Sequence, residues 1–310
     1  MKVSVDSNIV VADRVKTERM NLKSIINVLL DLGKFKITFF VALSAATGFY
    51  LFSSSLNYHL LYATTGLFLV AFGSAALNHF QEHKTDKMMK RTLGRPIPSG
   101  RVSRFTVLAM VILTVVSGSA LLYYFGNIQT VILGVFTLVW YNFIYTPLKK
   151  VSAYAVIPGA LIGALPPIVG WSAAGGEIFD PVILTFGAFL FIWQVPHFWL
   201  LMMIYGKEYT TAGLPSITEK FSREKLSRIN FVMNLVLGFS SYFLIMFNVI
   251  NSVIGMAALA AAFLFLIIST KVLLNNIISD RIVKRTFMFL NAYVLLVVLT
   301  IIFEKAVTVF

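Results

Sequence analysis

From residue 36 onward the chain is a succession of long apolar runs separated by short polar breaks. The runs cover 36–55, 59–82, 105–125, 128–147, 152–171, 181–205, 229–249, 252–274 and 285–304. Each lies near the ~20 apolar residues that an α-helix needs to cross a bilayer. The runs predict an all-α polytopic membrane protein, with nine transmembrane helices in a bundle around a central cavity. The fifth run contains Pro158, Pro166 and Pro167 and is expected to bend. The second ends in polar residues, so its inner limit is the least defined. Residues 1–34 read as a cytoplasmic N-terminal segment ahead of a nine-helix domain at 35–310. Residues 1–23 mix Asp6, Asp13 and Glu18 with basic side chains and lack the early apolar core of a cleavable signal peptide. Met20–Leu32 is too short to span and is expected to lie at the membrane interface.

Composition closes off a water-soluble fold. Of 310 residues 58% are hydrophobic and 13% charged, against about 25% charged in soluble domains. The absence of cysteine excludes disulfides, thiolate metal sites and cysteine nucleophiles. A net charge of +13 raises nucleic acid as a partner, but the position of the charge argues against it. With nine spans, 25 of the 26 Lys and Arg residues fall on one side, and only Lys305 on the other, where a loop carries Glu177 and Asp180. The positive-inside rule then places the N-terminus in the cytoplasm and the C-terminus outside, and assigns the basicity to the inner membrane surface, with no nucleic acid required. The inner loops 83–104 and 205–228 are long and polar, so chemistry is expected on that side.

Three descending spans bring polar groups to that inner end. The second closes with Asn78, Glu82 and Asp86 at spacing i, i+4, i+8, which sets them along one helix face over ~12 Å. Hard cations such as Mg²⁺ take oxygen ligands and bridge a few carboxylates to substrate phosphates. On spacing alone a solvated helix end explains the line equally well. Directly beyond it come Lys90, Arg91 and Arg95, then Pro96-Ile97-Pro98-Ser99-Gly100, and cations interleaved with metal ligands suit a diphosphate. The fourth span ends with Tyr145 and Lys149, one turn apart, followed by Lys150. Lys149 is placed to meet phosphate and the Tyr145 ring to face a cation, although an interfacial aromatic belt with topogenic lysines accounts for both. The sixth carries Trp193-Gln194-Val195-Pro196-His197-Phe198 and runs on to Lys207-Glu208-Tyr209. A histidine within a span is a functional candidate.

Asn78, Glu82 and Asp86 followed by Arg91-Thr92-Leu93-Gly94-Arg95-Pro96 resemble the first aspartate-rich motif of UbiA-type membrane prenyltransferases. Tyr145-Thr146-Pro147-Leu148-Lys149-Lys150, Gly163 to Trp171 and the Trp193–Phe198 run resemble the protohaem IX farnesyltransferase (haem O synthase) branch of that family. The similarity extends over roughly residues 35–300. Two departures stand out: the central acid is Glu82 rather than aspartate, and Lys84 stands where relatives often carry another acid. The second acidic motif is reduced to Lys207-Glu208-Tyr209, whereas quinone-directed relatives show two aspartates four apart.

The resemblance implies a nine-helix Mg²⁺-dependent enzyme that transfers a farnesyl group from farnesyl diphosphate to a vinyl group of protohaem IX. It implies Mg²⁺ on Asn78, Glu82 and Asp86, diphosphate held by Lys90, Arg91, Arg95, Lys149, Lys150 and Lys207, and Tyr145 facing the allylic cation. Trp193, Gln194 and His197 fall on the haem side, with His197 as axial ligand or propionate anchor, and Glu208 is the remnant of the second acidic motif. Haem A synthase or a terminal oxidase assembly is the implied partner downstream, in a bacterial cytoplasmic membrane. The alternatives are a UbiA-type enzyme acting on an aromatic quinone precursor and, in another class, a membrane transporter, for which the sequence shows no inverted repeat.

Overall fold

The structure, a computed structural model, describes residues 21–307; residues 1–20, the greater part of the expected N-terminal segment, and 308–310 lie outside the described residues. Helix α1 (Leu22–Leu32) starts at Asn21, whose side-chain oxygen accepts from the Ser24 amide at 2.8 Å. Its Val28 and Leu32 are buried, while Leu22, Ile25, Ile26, Leu29 and Leu30 are exposed.

Nine helices among the described residues are long and apolar enough to cross a membrane: α2 (Phe35–Ser53), α3 (Tyr58–Asp86), α4 (Arg104–Phe125), α5 (Ile128–Leu148), α6 (Val156–Ala173), α7 (Pro181–Thr211), α8 (Arg223–Met246), α9 (Val253–Leu274) and α10 (Asp280–Val307). They correspond one for one to the nine apolar runs, and the chain is an integral membrane protein. The helices outlast the runs. α3, α7 and α10 are 29, 31 and 28 residues long, and α3 continues past residue 82 to Asp86. Hydropathy marks where hydrocarbon ends, whereas backbone hydrogen bonding carries each helix on into the polar zone. Polar residues beyond the apolar runs therefore occupy defined helical faces.

Each span packs on the next, and α10 returns to α2, which closes the ring. α2 and α6 also press together: a Cβ on Gly48 would strike the Pro167 carbonyl, and one on Gly170 the Ala45 carbonyl. Small residues allow such backbone contact where lipid supplies no hydrophobic drive for helix association. A large core built on Phe186, Phe189, Leu290 and Tyr293 fills the α6–α10 side. Phe105, Leu113, Val116 and Ile277 point outward and are strongly exposed, as lipid-facing residues are.

Candidate active site at the basic end of the bundle

One face of α3 carries Ser74, Asn78, Glu82 and Asp86, spaced four apart. It turns inward: the exposures of Asn78, Glu82 and Asp86 are 0%, 6% and 1%. Buried carboxylates need partners, and both have them. Beyond Asp86 the chain doubles back through a short helical turn, Lys90–Leu93, and the Thr92 hydroxyl donates to the Asp86 carbonyl at 2.8 Å. This return brings Arg95 alongside, and its Nη1 donates to both Asp86 carboxylate oxygens at 2.7 and 2.8 Å. Glu82 receives Lys149 Nζ at 2.7 Å.

Lys149 arrives there because α5 does not end as a regular helix. Trp140–Tyr145 forms a π-helical turn just ahead of Pro147, which has no N–H and bars a tight approach to the carbonyl four residues back. The Thr146 amide instead reaches the Tyr141 carbonyl. The wider turn directs Asn142 into α3. Ser74 Oγ donates to Asn142 Oδ1 at 2.6 Å, and Asn142 Nδ2 donates to the Ser74 carbonyl at 3.0 Å and to Gln81 Oε1 at 3.1 Å. That network fixes the register of α5 on α3. Tyr141 and Tyr145 stack with ring centroids 5.8 Å apart, and Lys149 Nζ lies 5.7 Å from the Tyr145 centroid.

A residue absent from the sequence-based set completes the cluster. Lys34, at the elbow between α1 and α2, adopts a left-handed backbone (φ 48, ψ 51). Its Nζ donates to Asn78 Oδ1 at 2.7 Å and to the Tyr141 hydroxyl at 3.1 Å, while Asn78 Nδ2 donates to Thr146 Oγ1 at 3.2 Å. Burial, with the cations Arg95 and Lys149 nearby, pushes the Lys34 ammonium down to about 7 against the pull of Glu82 and Asp86. Burial also opposes charge on Lys149, but there the Glu82 carboxylate prevails and holds Lys149 above the usual lysine range. Three basic side chains thus lie against two carboxylates and an amide in one buried cluster.

The other expected residues divide. The Arg91 amide donates to Glu208 Oε2 at 3.3 Å and its guanidinium lies 5.1 Å from the Tyr205 ring centroid, which ties the loop after α3 to the end of α7. Lys90, Lys150 and Lys207 are exposed at the rim. On the opposite wall, Gly159 of α6 leaves room for the Tyr145 ring, and Gly163, one turn on, leaves room for Gln194 of α7. Tyr145 and Gln194 therefore lie over one face of α6. Trp193 packs on His197 with ring centroids 4.9 Å apart, and His197 turns to α10, its Nδ1 2.9 Å from Asn291 Oδ1. The structure thus gives two neighbouring groups, an ionic one on α3 and α5 and an aromatic one on α7 and α10, with Tyr145, α6 and Gln194 between them.

No cluster of three or more His, Cys, Asp or Glu side chains suited to a metal occurs among the described residues. What Asn78, Glu82 and Asp86 offer is an open line of oxygen donors. That set fits Mg²⁺, which keeps waters and shares its ligands with substrate phosphates, better than it fits a closed all-protein cage.

The profile of the UbiA prenyltransferase family matches residues 36–300. A protein named protoheme IX farnesyltransferase from Cytophaga hutchinsonii is 35% identical over 73% of this chain and 81% of its own length. One of the same name from Oleidesulfovibrio alaskensis is 36% identical over 60% of this chain, and the chain spans just under two thirds, 66%, of that relative. Among solved structures, a digeranylgeranylglyceryl phosphate synthase superposes with a TM-score of 0.74 at 15% identity, covering 92% of this chain and 99% of that one. A UbiA homologue from Archaeoglobus fulgidus bound to GPP and Mg²⁺ gives 0.61 at 13% identity, over 88% and 99%. At these identities the two structures establish a shared fold.

Proposed function

The chain belongs to the UbiA prenyltransferase family, and on that basis we propose that it transfers a farnesyl group from farnesyl diphosphate to a vinyl group of protohaem IX, releasing pyrophosphate and forming haem O. The observation that carries this reading is the inward line of Asn78, Glu82 and Asp86, ion-paired to Arg95 and Lys149 beside Tyr145. The acceptor follows from the shared name of the relatives above and from the aromatic group around His197. The basic end faces the cytoplasm of a bacterial cell, where a soluble diphosphate is delivered, and haem A synthase or a terminal oxidase assembly takes the product onward.

Mg²⁺, held by Asn78, Glu82 and Asp86, supplies positive charge to the leaving diphosphate when bound. The chain's own side chains do the rest. Arg95, Lys149 and Lys34 leave their carboxylate and amide partners for the diphosphate oxygens, and meet the charge that develops as the C1–oxygen bond breaks. Arg91, Lys90, Lys150 and Lys207 form the outer cationic rim that guides the anion in. The Tyr145 ring presents its π-face to the allylic cation, and the apolar walls keep bulk water from quenching it. The terminal vinyl carbon of the acceptor attacks C1. Water adds at the adjacent carbon and loses a proton, which leaves the hydroxyethylfarnesyl side chain. Glu208 anchors the Arg91 loop rather than ligating metal.

The test uses purified protein with farnesyl diphosphate, Mg²⁺ and either protohaem or hydroxybenzoate, read by mass spectrometry. Haem O with stoichiometric pyrophosphate is the expected result. Prenylated hydroxybenzoate without haem O would assign the quinone branch, and no pyrophosphate from either acceptor would remove the enzyme reading.

A further inference from the structure

Helix α1 has three faces rather than two. Leu22, Ile25, Ile26, Leu29 and Leu30 cover an arc of about 140° at 3.6 residues per turn, and all are exposed. Lys23, Asn27 and Asp31 form the next arc and are exposed as well. Val28 and Leu32 form the third and are buried in one cluster with Ala76 of α3 and Val107 and Val111 of α4. α4 begins at Arg104, so the two valines stand ~5–10 Å inside its basic end at 1.5 Å per residue. At that depth an amphipathic helix lies along a membrane with its apolar side in the acyl chains. With the bundle behind the third face and polar side chains on the second, lipid is the cover that fits the first.

The helix runs straight into the ionic cluster. Its last turn passes Gly33, where a Cβ would strike the Phe72 ring, to Lys34 with φ 48. A residue with a Cβ holds that left-handed backbone only when its surroundings fix it. On the polar face, Asp31 Oδ2 accepts from Arg101 Nη2 at 2.8 Å, and the same nitrogen donates to the Gly94 carbonyl at 2.6 Å, next to Arg95. α1 is thus tied to the loop that carries Arg95 and is continuous with the elbow that aims Lys34 at Asn78.

We infer that α1 is a membrane-docking helix whose partner is the lipid surface at the basic end of the bundle, and that its seating there holds Lys34 in the diphosphate site. Lys34 is then set by the lipid as well as by its protein neighbours. The coupling to Lys34 rests on the diphosphate reading above; the docking does not.

The chain has no cysteine, so single substitutions on α1 accept a nitroxide label. Purified full chain carrying Ile26→Cys or Asn27→Cys is placed in phosphatidylcholine–phosphatidylglycerol bilayers. Collision with oxygen, which partitions into lipid, and with a water-soluble nickel chelate is read by electron paramagnetic resonance. Oxygen should dominate at position 26 and nickel at 27. Nickel access at both, or access of neither reagent at 26, as a covering protein would give, overturns the docking. Coupling is tested with unlabelled chain by placing Ile26→Asp and Leu29→Asp together on the lipid face, which leaves Val28 and Leu32 in place. Affinity for farnesyl thiodiphosphate with Mg²⁺ should fall ~10-fold with the thermal midpoint of the bundle unchanged, and Ile26→Leu with Leu29→Ile should retain it. Adding Lys34→Met to the aspartate pair should cause no further loss, since both act through one side chain. Undiminished affinity in the aspartate pair, or a loss that adds in full to that of Lys34→Met, overturns the coupling. No binding of the thiodiphosphate by the parent chain overturns the diphosphate reading and the coupling with it, while the label pattern still decides the docking.

Discussion

Lys34 and Asp86 stand at opposite ends of the α3 polar line and make different demands on a ligand. Lys34 lies near 7 because burial and two neighbouring cations disfavour its charge. A bound diphosphate favours the charged form, so its arrival requires a proton on Lys34. Below about pH 7 that proton is already present; above it, binding must take one up, and affinity falls by at most ~10-fold per pH unit. The Kd of an unreactive farnesyl thiodiphosphate should therefore rise between pH 7 and 8.5, and the rise should vanish in Lys34→Met. A slope that persists in the variant belongs to another group. Asp86→Ala removes a proposed metal ligand and leaves Arg95 without its carboxylate, so kcat/KM for farnesyl transfer should drop by ~10²–10³-fold while the protein still inserts in the membrane. Asp86 was legible because three oxygen-bearing residues four apart are hard to place on a lipid-facing surface. Lys34 was not, because at the mouth of a span it reads as one more topogenic lysine. Only the elbow at its left-handed backbone aims it at Asn78.

Nine helices could be counted from apolar runs because lipid imposes a fixed length on each. What hydropathy cannot register is how an element deviates inside its span. The π-turn at Trp140–Tyr145 is such a case: Pro147 announces a disturbance, but only the packed bundle shows that the widened turn sets Asn142 on Ser74 and Gln81 of α3. An N–H at position 147 would let a regular turn form and swing Lys149 off Glu82 and the Tyr145 ring away from Lys149. Pro147→Ala should lower kcat by ~10–100-fold, since misplacement of about 1 Å costs that much, with the circular dichroism of the helices unchanged. Wild-type kcat would mean that the turn is set by the α3 contacts alone. The α2–α6 crossing makes a separate demand. Gly170→Ala drives a methyl group against the Ala45 carbonyl and should destabilise the bundle by about 1–3 kcal/mol, seen as a lower midpoint in thermal unfolding. Gly94→Ala is the matched control, since nothing lies within 4 Å of the added carbon. The sequence contained Gly48 and Gly170 without saying that each opposes another backbone, because that is a property of two helices and not of either one.

Among the described residues the bundle collects nearly all the basic side chains at one end, yet there Lys34, Arg95 and Lys149 are occupied by Asn78, Asp86 and Glu82. A diphosphate arriving alone would have to break these pairs and leave two carboxylates buried and unmatched beside it, a costly arrangement. Mg²⁺ arriving alone would have to displace the same cations and leave them facing one another. Together each ligand takes the partners the other releases, so the two are expected to bind with positive coupling. The affinity for farnesyl thiodiphosphate should rise at least ~10-fold when EDTA is replaced by saturating Mg²⁺, and by linkage the Mg²⁺ affinity should rise by the same factor when the thiodiphosphate is present. Calorimetric titration in both orders measures both factors. Equal thiodiphosphate affinity in EDTA and Mg²⁺ would mean that the basic groups hold diphosphate without exchanging partners, and the α3 carboxylates would then be a structural ion-pair network. Glu82→Gln probes the same exchange from inside. It frees Lys149 in advance, so the metal-free affinity should rise while the gain from Mg²⁺ shrinks, a pair of opposite changes that a merely weakened site would not produce.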